Sequence, residues 1–295
     1  MAILVTEKTK VLVQGITGKE GSKVALQMRN YGTKVLAGVT PGKGGLQVHG
    51  IPVYNTILEA LENHPAINTS LISVPNFAVG GAMQEAIEAK IPLINVFTEH
   101  VPIADTAKAL IMAKQAGVRV VGPSSMGIIS PSLGKVGQIG GDDPRGVFSK
   151  GSVGVISKSG GMASEVSWIL TKNGIGQSTV IGIGGDILTG STFADLLKEF
   201  ESDSQTKAVI LFGEIGGTYE EEAANFIKSG GFTKKVVAFI SGLFAESLPQ
   251  GTKLGHAGAI VYGEKGSYKS KIRALTDAGV VIAKTPDEIP QLLQY

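Results

Sequence analysis

Two glycine-flanked side chains carry the strongest chemical signal in this sequence: His256, within Gly255-His256-Ala257-Gly258-Ala259, and Glu214, within Gly213-Glu214-Ile215-Gly216-Gly217. Neighbours with almost no side chain leave the imidazole open to a large, charged reactant. A carboxylate that takes the Nδ1 proton fixes the tautomer and leaves Nε2 as the nucleophile. Spacing alone leaves two plainer readings open: a structural histidine in a Gly/Ala loop, and a Glu214 that caps the following helix. The remaining histidines are His49, His64 and His100. His49 lies in a loop and His64 precedes Pro65 in a polar turn, so both read as surface residues.

A second signal is the repeated strand–glycine–helix junction. Gly15-Ile16-Thr17-Gly18-Lys19-Glu20-Gly21 stands between the first strand and the first helix. Glycines there let backbone approach a pyrophosphate seated on the unpaired N–H groups of the helix N-terminus. The spacing is GxxGxxG rather than GxGxxG, and a nicotinamide site calls for an acidic residue about twenty positions on. Leu36-Ala37-Gly38 occupies that place. The second strand runs instead into Thr40-Pro41-Gly42-Lys43-Gly44-Gly45, whose amides and single ammonium suit a second phosphate cluster. A nucleotide with phosphates at two places, such as coenzyme A, fits better than NAD; the alternative is that these glycines only make tight turns. In the second half, Ser157-Lys158-Ser159-Gly160-Gly161-Met162 and Gly182-Ile183-Gly184-Gly185-Asp186 repeat the junction. Two anion cradles close together suggest phosphoryl chemistry. Ser159, preceded by Lys158 and Ser157, does not match the G-x-S-x-G nucleophile elbow.

The elements that must position these residues alternate between short β-branched runs and amphipathic helical stretches, the pattern of parallel βαβ units. Strands are expected at 10–14, 34–39, 69–74, 93–96 and 119–121, with helices near 19–30, 56–62, 78–89 and 103–115, the first and last closed by Gly32 and Gly117. The second half restarts at 153–156 and continues with helix 162–172, strand 178–183, helix 192–200, strand 208–212, helix 219–228, strand 235–240 and a final helix–strand–helix from Ser267. Periodicity is lost between Pro123 and Gly146, which reads as linker. The expected organisation is a domain over 1–125, a linker over 126–145 and a second domain over 146–295. The 295-residue length agrees with two domains, at roughly 100–200 residues each.

Composition limits the function classes. With 27 Lys+Arg against 25 Asp+Glu the balance is near neutral and offers no footprint for nucleic acid. No apolar run approaches the ~18–20 residues a bilayer span needs, and no leader pattern precedes the first strand, so a cytoplasmic protein is expected. The absence of cysteine excludes disulfides, thiolate metal sites and a cysteine nucleophile.

Together these motifs resemble the α subunit of the succinyl-CoA synthetase family, the NDP-forming acyl-CoA ligases that include citryl-CoA synthetase and part of ATP-citrate lyase. The resemblance covers essentially the whole chain, with the segments at 39–45, 182–186, 213–217 and 255–259 in order. It implies an N-terminal Rossmann-like CoA-binding domain followed by a flavodoxin-like ligase domain, both with parallel sheets. It implies that His256 is phosphorylated by a nucleoside triphosphate and oriented by Glu214. It carries CoA contacts to Thr17, Gly18, Lys19, Glu20, Lys43, Phe97, Thr98 and Glu99, and phosphate or substrate contacts to Ser159, Gly160, Gly161, Met162 and Ser164. ATP or GTP with Mg2+ is then bound mainly by an ATP-grasp domain on a larger β-type partner, so a hetero-oligomer is expected, with no metal site on this chain.

Departures from the pattern bear on the acid. Succinyl-CoA synthetases usually read Gly-Pro-Asn-Cys-Pro-Gly where this chain has Gly122-Pro123-Ser124-Ser125-Met126-Gly127. They read Ser-Gly-Thr-Leu-Thr-Tyr-Glu where it has Ser159-Gly160-Gly161-Met162-Ala163-Ser164-Glu165. The latter is similar to the Ser-Gly-Gly-Met segment of the citrate branch, as is the Gly-Gln-Ile-Gly-Gly stretch at 137–141. Gly161 and Ser164 would widen the pocket for an acid with more carboxylates. No citrate-synthase-like region follows, so the expectation is the small subunit of a citryl-CoA synthetase, with succinate–CoA ligase as the alternative. A non-catalytic CoA-binding module is opposed by the presence of both Glu214 and His256.

Overall fold

A computed structural model describes residues 2–247, 252, 255–261 and 266–293. The first sheet is built from β1 (Lys10–Gln14), β2 (Lys34–Val39), β3 (Gln47–Val48), β4 (Ile51–Tyr54), β5 (Thr69–Ile72), β6 (Leu93–Val96) and β7 (Arg119–Val121) in the order β3-β4-β2-β1-β5-β6-β7. All neighbours are parallel except the short β3–β4 pair. Helices cover both faces, which is why Val11, Leu12 and Val13 are all fully buried and the strand reads as a continuous apolar run rather than an alternation. The helices are α1 (Lys19–Tyr31), α2 (Ile57–Asn63), α3 (Val79–Glu88) and α4 (Ile103–Ala116). Gly32 and Gly117 end α1 and α4 in the left-handed conformation, as expected from sequence. The chain order reverses between β1 and β5, so a crevice opens beyond their carboxyl ends.

The second sheet contains β8 (Gly127–Ser130), β9 (Gly134–Gly137), β10 (Lys150–Ser157), β11 (Gln177–Gly182), β12 (Ala208–Glu214), β13 (Lys235–Ser241) and β14 (Val281–Ile282), in the order β14-β13-β12-β10-β11-β8-β9. Strands β10 to β14 are parallel and are crossed over by α5 (Gly160–Lys172), α6 (Phe193–Ser202), α7 (Tyr219–Lys228) and α8 (Tyr268–Asp277), with α9 (Ile289–Leu293) closing the described chain. This is a flavodoxin-like order with its reversal between β10 and β12, so the two α/β units expected from the sequence are present.

The segment 126–145 corrects the linker expectation. Its strands β8 and β9 form an antiparallel hairpin that extends the second sheet beside β11, with Val180 opposite Ile129. The hairpin also fastens the two halves together. Thr33 Oγ1 donates to the Lys135 carbonyl at 2.8 Å and accepts the Lys135 N–H at 2.9 Å. Gln27 on α1 reaches Asp142. The Lys135 ammonium is fully buried and donates to the carbonyls of Ile139 and Gly141; burial lowers its pKa to about 8, against the attraction of Asp142. Strands of four residues, held by backbone pairing and rich in glycine, give no period-two signal. Among the described residues no helix is long and apolar enough to cross a membrane.

Candidate active site

Parallel register brings the chemistry-bearing loops of the second domain to one edge. Ser157 at the end of β10 lies opposite Phe212 of β12 and Gly182 of β11. The Lys158 N–H then donates to the Phe212 carbonyl, and the Ile183 N–H to the Ser157 carbonyl. Loops 158–162, 183–186 and 213–217 therefore leave the sheet side by side. The histidine segment docks on the 183–186 loop: Gly258 N–H donates to the Gly185 carbonyl at 3.0 Å, and the His256 ring lies where a side chain on Gly185 would be, 2.5 Å from an ideal Cβ.

Glu214 Oε2 and His256 Nδ1 are 2.6 Å apart, although the residues are 42 positions apart in sequence. The imidazole side chain is 37% exposed and the carboxylate 13%, so the pair is sheltered on its Glu214 side and open on the other. The hydrogen bond that Nδ1–H donates to Glu214 holds the His256 pKa above its usual 6.5, opposing burial; attraction to Glu214 and Glu99 adds to the rise and Lys158 reduces it. With Nδ1 occupied, Nε2 is the nitrogen free to act as nucleophile.

Beneath this pair is a buried charge cluster that sequence reasoning missed. Glu220, in the first turn of α7, is fully buried and pairs with Lys158 Nζ at 3.0 Å and with Lys271 Nζ. Lys271 also reaches Glu221 at 3.0 Å. Burial pushes the Glu220 carboxyl up, but the two ammonium groups outweigh it and hold the pKa below the usual carboxylate range. Glu220-Glu221-Glu222 reads in sequence as a solvated acidic first turn; nothing local distinguishes the first of the three as the enclosed one.

At the start of α5, Ser159 is the N-cap, its Oγ accepting the Met162 N–H at 3.4 Å. The remaining first-turn N–H groups have no intrahelical acceptor and suit an anion. Gly161 is exposed, with only Ser159 Oγ as near as 4.0 Å to the place of a side chain, while Ser164 Oγ turns back to the Gly160 carbonyl at 3.5 Å.

In the first domain a cavity of about 430 Å³ lies at the β1/β5 reversal, lined by Gly18, Lys19 and Glu20 after β1, Ser73, Val74 and Pro75 after β5, and Phe97, Thr98 and Glu99 after β6. Six of the eight residues expected to contact CoA thus converge on one groove. Thr17, whose hydroxyl is 3.2 Å from that of Thr40, and Lys43, exposed in the next loop, do not line the groove. Gly15 and Gly21 instead meet backbone closely, Gly15 against Ser73 and Gly21 against Gly15, so the tight-turn reading holds for those two. The groove adjoins the histidine site through Glu99, whose charge acts on His256, and through His100 and Val101, which line a cavity with Asp186 and whose backbone N–H groups act on its carboxyl. Burial raises the Asp186 pKa in spite of those groups. A second cavity, of about 230 Å³, is lined by His100, Asp186 and Ala257 among others, so the first-domain loop abuts the histidine segment. His100 and Asp186 had no role assigned from sequence; only the domain contact identifies them.

Comparison with known proteins agrees with this layout. A family model described as CoA binding domain matches residues 6–100, and one described as CoA-ligase matches residues 156–281. The chain is 47% identical to succinate–CoA ligase [ADP-forming] subunit alpha 2 of Archaeoglobus fulgidus over 293 residues, covering 99% of both chains. It is 46% identical to succinate–CoA ligase [ADP-forming] subunit alpha of Aquifex aeolicus, over 98% of this chain and 92% of that one. Among solved structures it is similar to ATP citrate lyase from Methanothrix soehngenii in complex with citrate and coenzyme A, with a TM-score of 0.90 and 24% identity. That match covers 99% of this chain but 51% of the lyase chain, so this chain spans about half its length, and the likeness is one of fold.

Proposed function

This chain belongs to the family of succinate–CoA ligase α subunits and is an acid–thiol ligase; from that premise we propose that its acid is succinate, that His256 carries the phosphoryl group, and that a β-type partner supplies the nucleotide. The observation that carries the reading is the 2.6 Å contact between Glu214 and His256 Nδ1. It leaves Nε2 as the nucleophile and places an anion where it balances a phosphorylated imidazolium.

In this reading Nε2 attacks the γ-phosphorus of ATP or GTP, forming the N–P bond as the bond to the NDP oxygen breaks. The NTP travels with Mg2+ and is bound mainly by an ATP-grasp domain of the partner. Glu214 keeps accepting the Nδ1–H hydrogen bond throughout, and the first-turn amides of Gly160 and Gly161 receive the phosphoryl oxygens. A succinate carboxylate oxygen then takes the phosphoryl group, releasing His256 and giving an acyl phosphate. The CoA sulfur, delivered from the groove at Gly18–Glu20 and Phe97–Glu99, attacks the carbonyl, and phosphate leaves with the thioester formed. Each step depends on positioned N–H groups and charges more than on acid–base strength.

The expectation of citrate gives way here. It rested on the room that Gly161 and Ser164 would leave and on the likeness of the Ser159–Met162 and 137–141 segments to the citrate branch. Relatives 46–47% identical along nearly the whole chain are named for succinate, and the likeness to the citrate enzyme extends to fold. The test is CoA-dependent ADP or GDP release by the chain copurified with its natural partner, with succinate and with citrate. Release with succinate is expected, and release with citrate alone overturns the acid assignment. His256→Ala is expected to abolish labelling of this chain by γ-labelled nucleotide and to leave CoA affinity unchanged; persistent labelling removes His256 from the reaction.

A further inference from the structure

Glu220 takes no part in the steps above, yet its carboxylate binds the turn that carries Glu214 as well as the two lysines beside it. Oε1 accepts the Glu214 N–H at 3.1 Å. The backbone of Gly213 lies so close that an ideal Cβ there would be 2.7 Å from Oε1. The two lysines that Glu220 holds extend its reach: Lys158 Nζ donates to the Gly216 carbonyl at 3.3 Å and Lys271 Nζ to the Gly217 carbonyl at 3.1 Å. Four of the five residues of the 213–217 turn are therefore touched by Glu220 or by a lysine paired to it. Gly216 and Gly217 both adopt positive φ, 87° and 61°, and glycines free to do so leave the turn many other conformations unless it is tied down.

We propose that Glu220 is a positioning residue for phosphorylation of His256, acting through Glu214 by fixing the turn from which the Glu214 carboxylate reaches Nδ1. The inference rests on the phosphohistidine reading given above. A fully buried ion cluster is by itself a weak stabiliser, since its desolvation cost cancels much of its attraction. Geometry is what it supplies: a carboxylate at 2.6 Å from Nδ1 loses the bond if its backbone shifts by about 1 Å. Glu220 and Lys271, both fully buried, thereby acquire a role in the reaction.

The experiment uses the complete complex with its partner and four chains: unaltered, Glu220→Gln, Glu214→Gln and the double variant. Initial rates of His256 labelling from γ-labelled nucleotide are measured, together with the His256 pKa by NMR of labelled histidine and the CoA Kd. Glu220→Gln is expected to slow labelling at least about tenfold, the scale of loss when a group that orients a functional histidine is removed. It is expected to lower the His256 pKa and to leave the CoA Kd within about twofold, because the groove lies in the other domain. Acting through Glu214, it should slow labelling no further once Glu214 is Gln. Full additivity of the two substitutions, or an unchanged rate and pKa, overturns the inference while the phosphohistidine reading stands. Failure of the unaltered chain to take label on His256 overturns that reading instead. If Glu220→Gln does not fold, Glu220→Gln/Lys271→Gln, which leaves Lys158 and Glu221 in charge balance, is subject to the same cycle with the same expected outcomes.

Discussion

Replacing Glu214 with Gln removes a charge and keeps the shape, and its consequences run in opposite directions in two observables. The hydrogen bond that His256 donates to Glu214 is the largest influence on the His256 pKa and raises it above 6.5. Without the carboxylate, burial becomes the leading influence, with Glu99 still raising the value and Lys158 lowering it, so the pKa falls. The rising limb of the phosphorylation rate against pH, which reports the free Nε2 lone pair, therefore moves to lower pH. The plateau above that limb falls, because the developing imidazolium loses its partner. A hydrogen bond to a charged group contributes about 1.5–3 kcal/mol. His256 is 37% exposed, which places it at the lower end of that range, and about 1.4 kcal/mol corresponds to a tenfold slower rate. Rapid-quench labelling across pH 5–9 with the partner present measures both effects. Stability supplies an independent check of sign: the raised His256 pKa contributes stability below the ordinary value, lost as pH rises through the folded-state value, and Glu214→Gln should flatten that dependence. A limb that stays in place or moves to higher pH, or a plateau that does not fall, refutes the assignment of Glu214 as the group that sets the imidazole.

Two other substitutions probe the surroundings. Gly185→Ala places a methyl 2.5 Å from His256 Cγ, and since such overpacking costs about 1–3 kcal/mol, the ring should tip away from Glu214 and labelling should slow about tenfold or more. CoA affinity, measured by calorimetry on the same sample, should not change; unaltered labelling would show that the ring does not react from this position. Lys43→Ala should raise the CoA Kd about two- to fivefold, the effect of one exposed charge contact, and the loss should shrink as salt is added. Equal Kd values for both chains at low salt would remove Lys43 from phosphate binding.

Much of the fold was legible because it is repeated locally. The spans of β1, β2, β6 and β7 follow directly from short apolar runs between turn residues, and Gly32 and Gly117 close their helices because only the left-handed conformation ends them there. What escaped were elements whose stability comes from a neighbour. In the β8–β9 hairpin the four-residue strand β8 pairs with β11 and β9 packs on α1, so its residues carry a linker composition and a strand's role. The β3–β4 pair is shorter still.

The site divides along the same line. By itself the sequence determined which residue types stand in glycine-marked turns and loops: His256, Glu214, the Ser159–Met162 amides and the Gly18–Glu20 turn, where few side chains compete. Only the tertiary structure decided which of them meet. It brought Glu214 to His256 across 42 residues, gathered six of eight expected CoA contacts into one groove and left Lys43 outside its lining. It also enclosed Glu220 among Lys158 and Lys271. Residue type is local information, but the register of parallel strands and the burial of a charge are set by partners far along the chain.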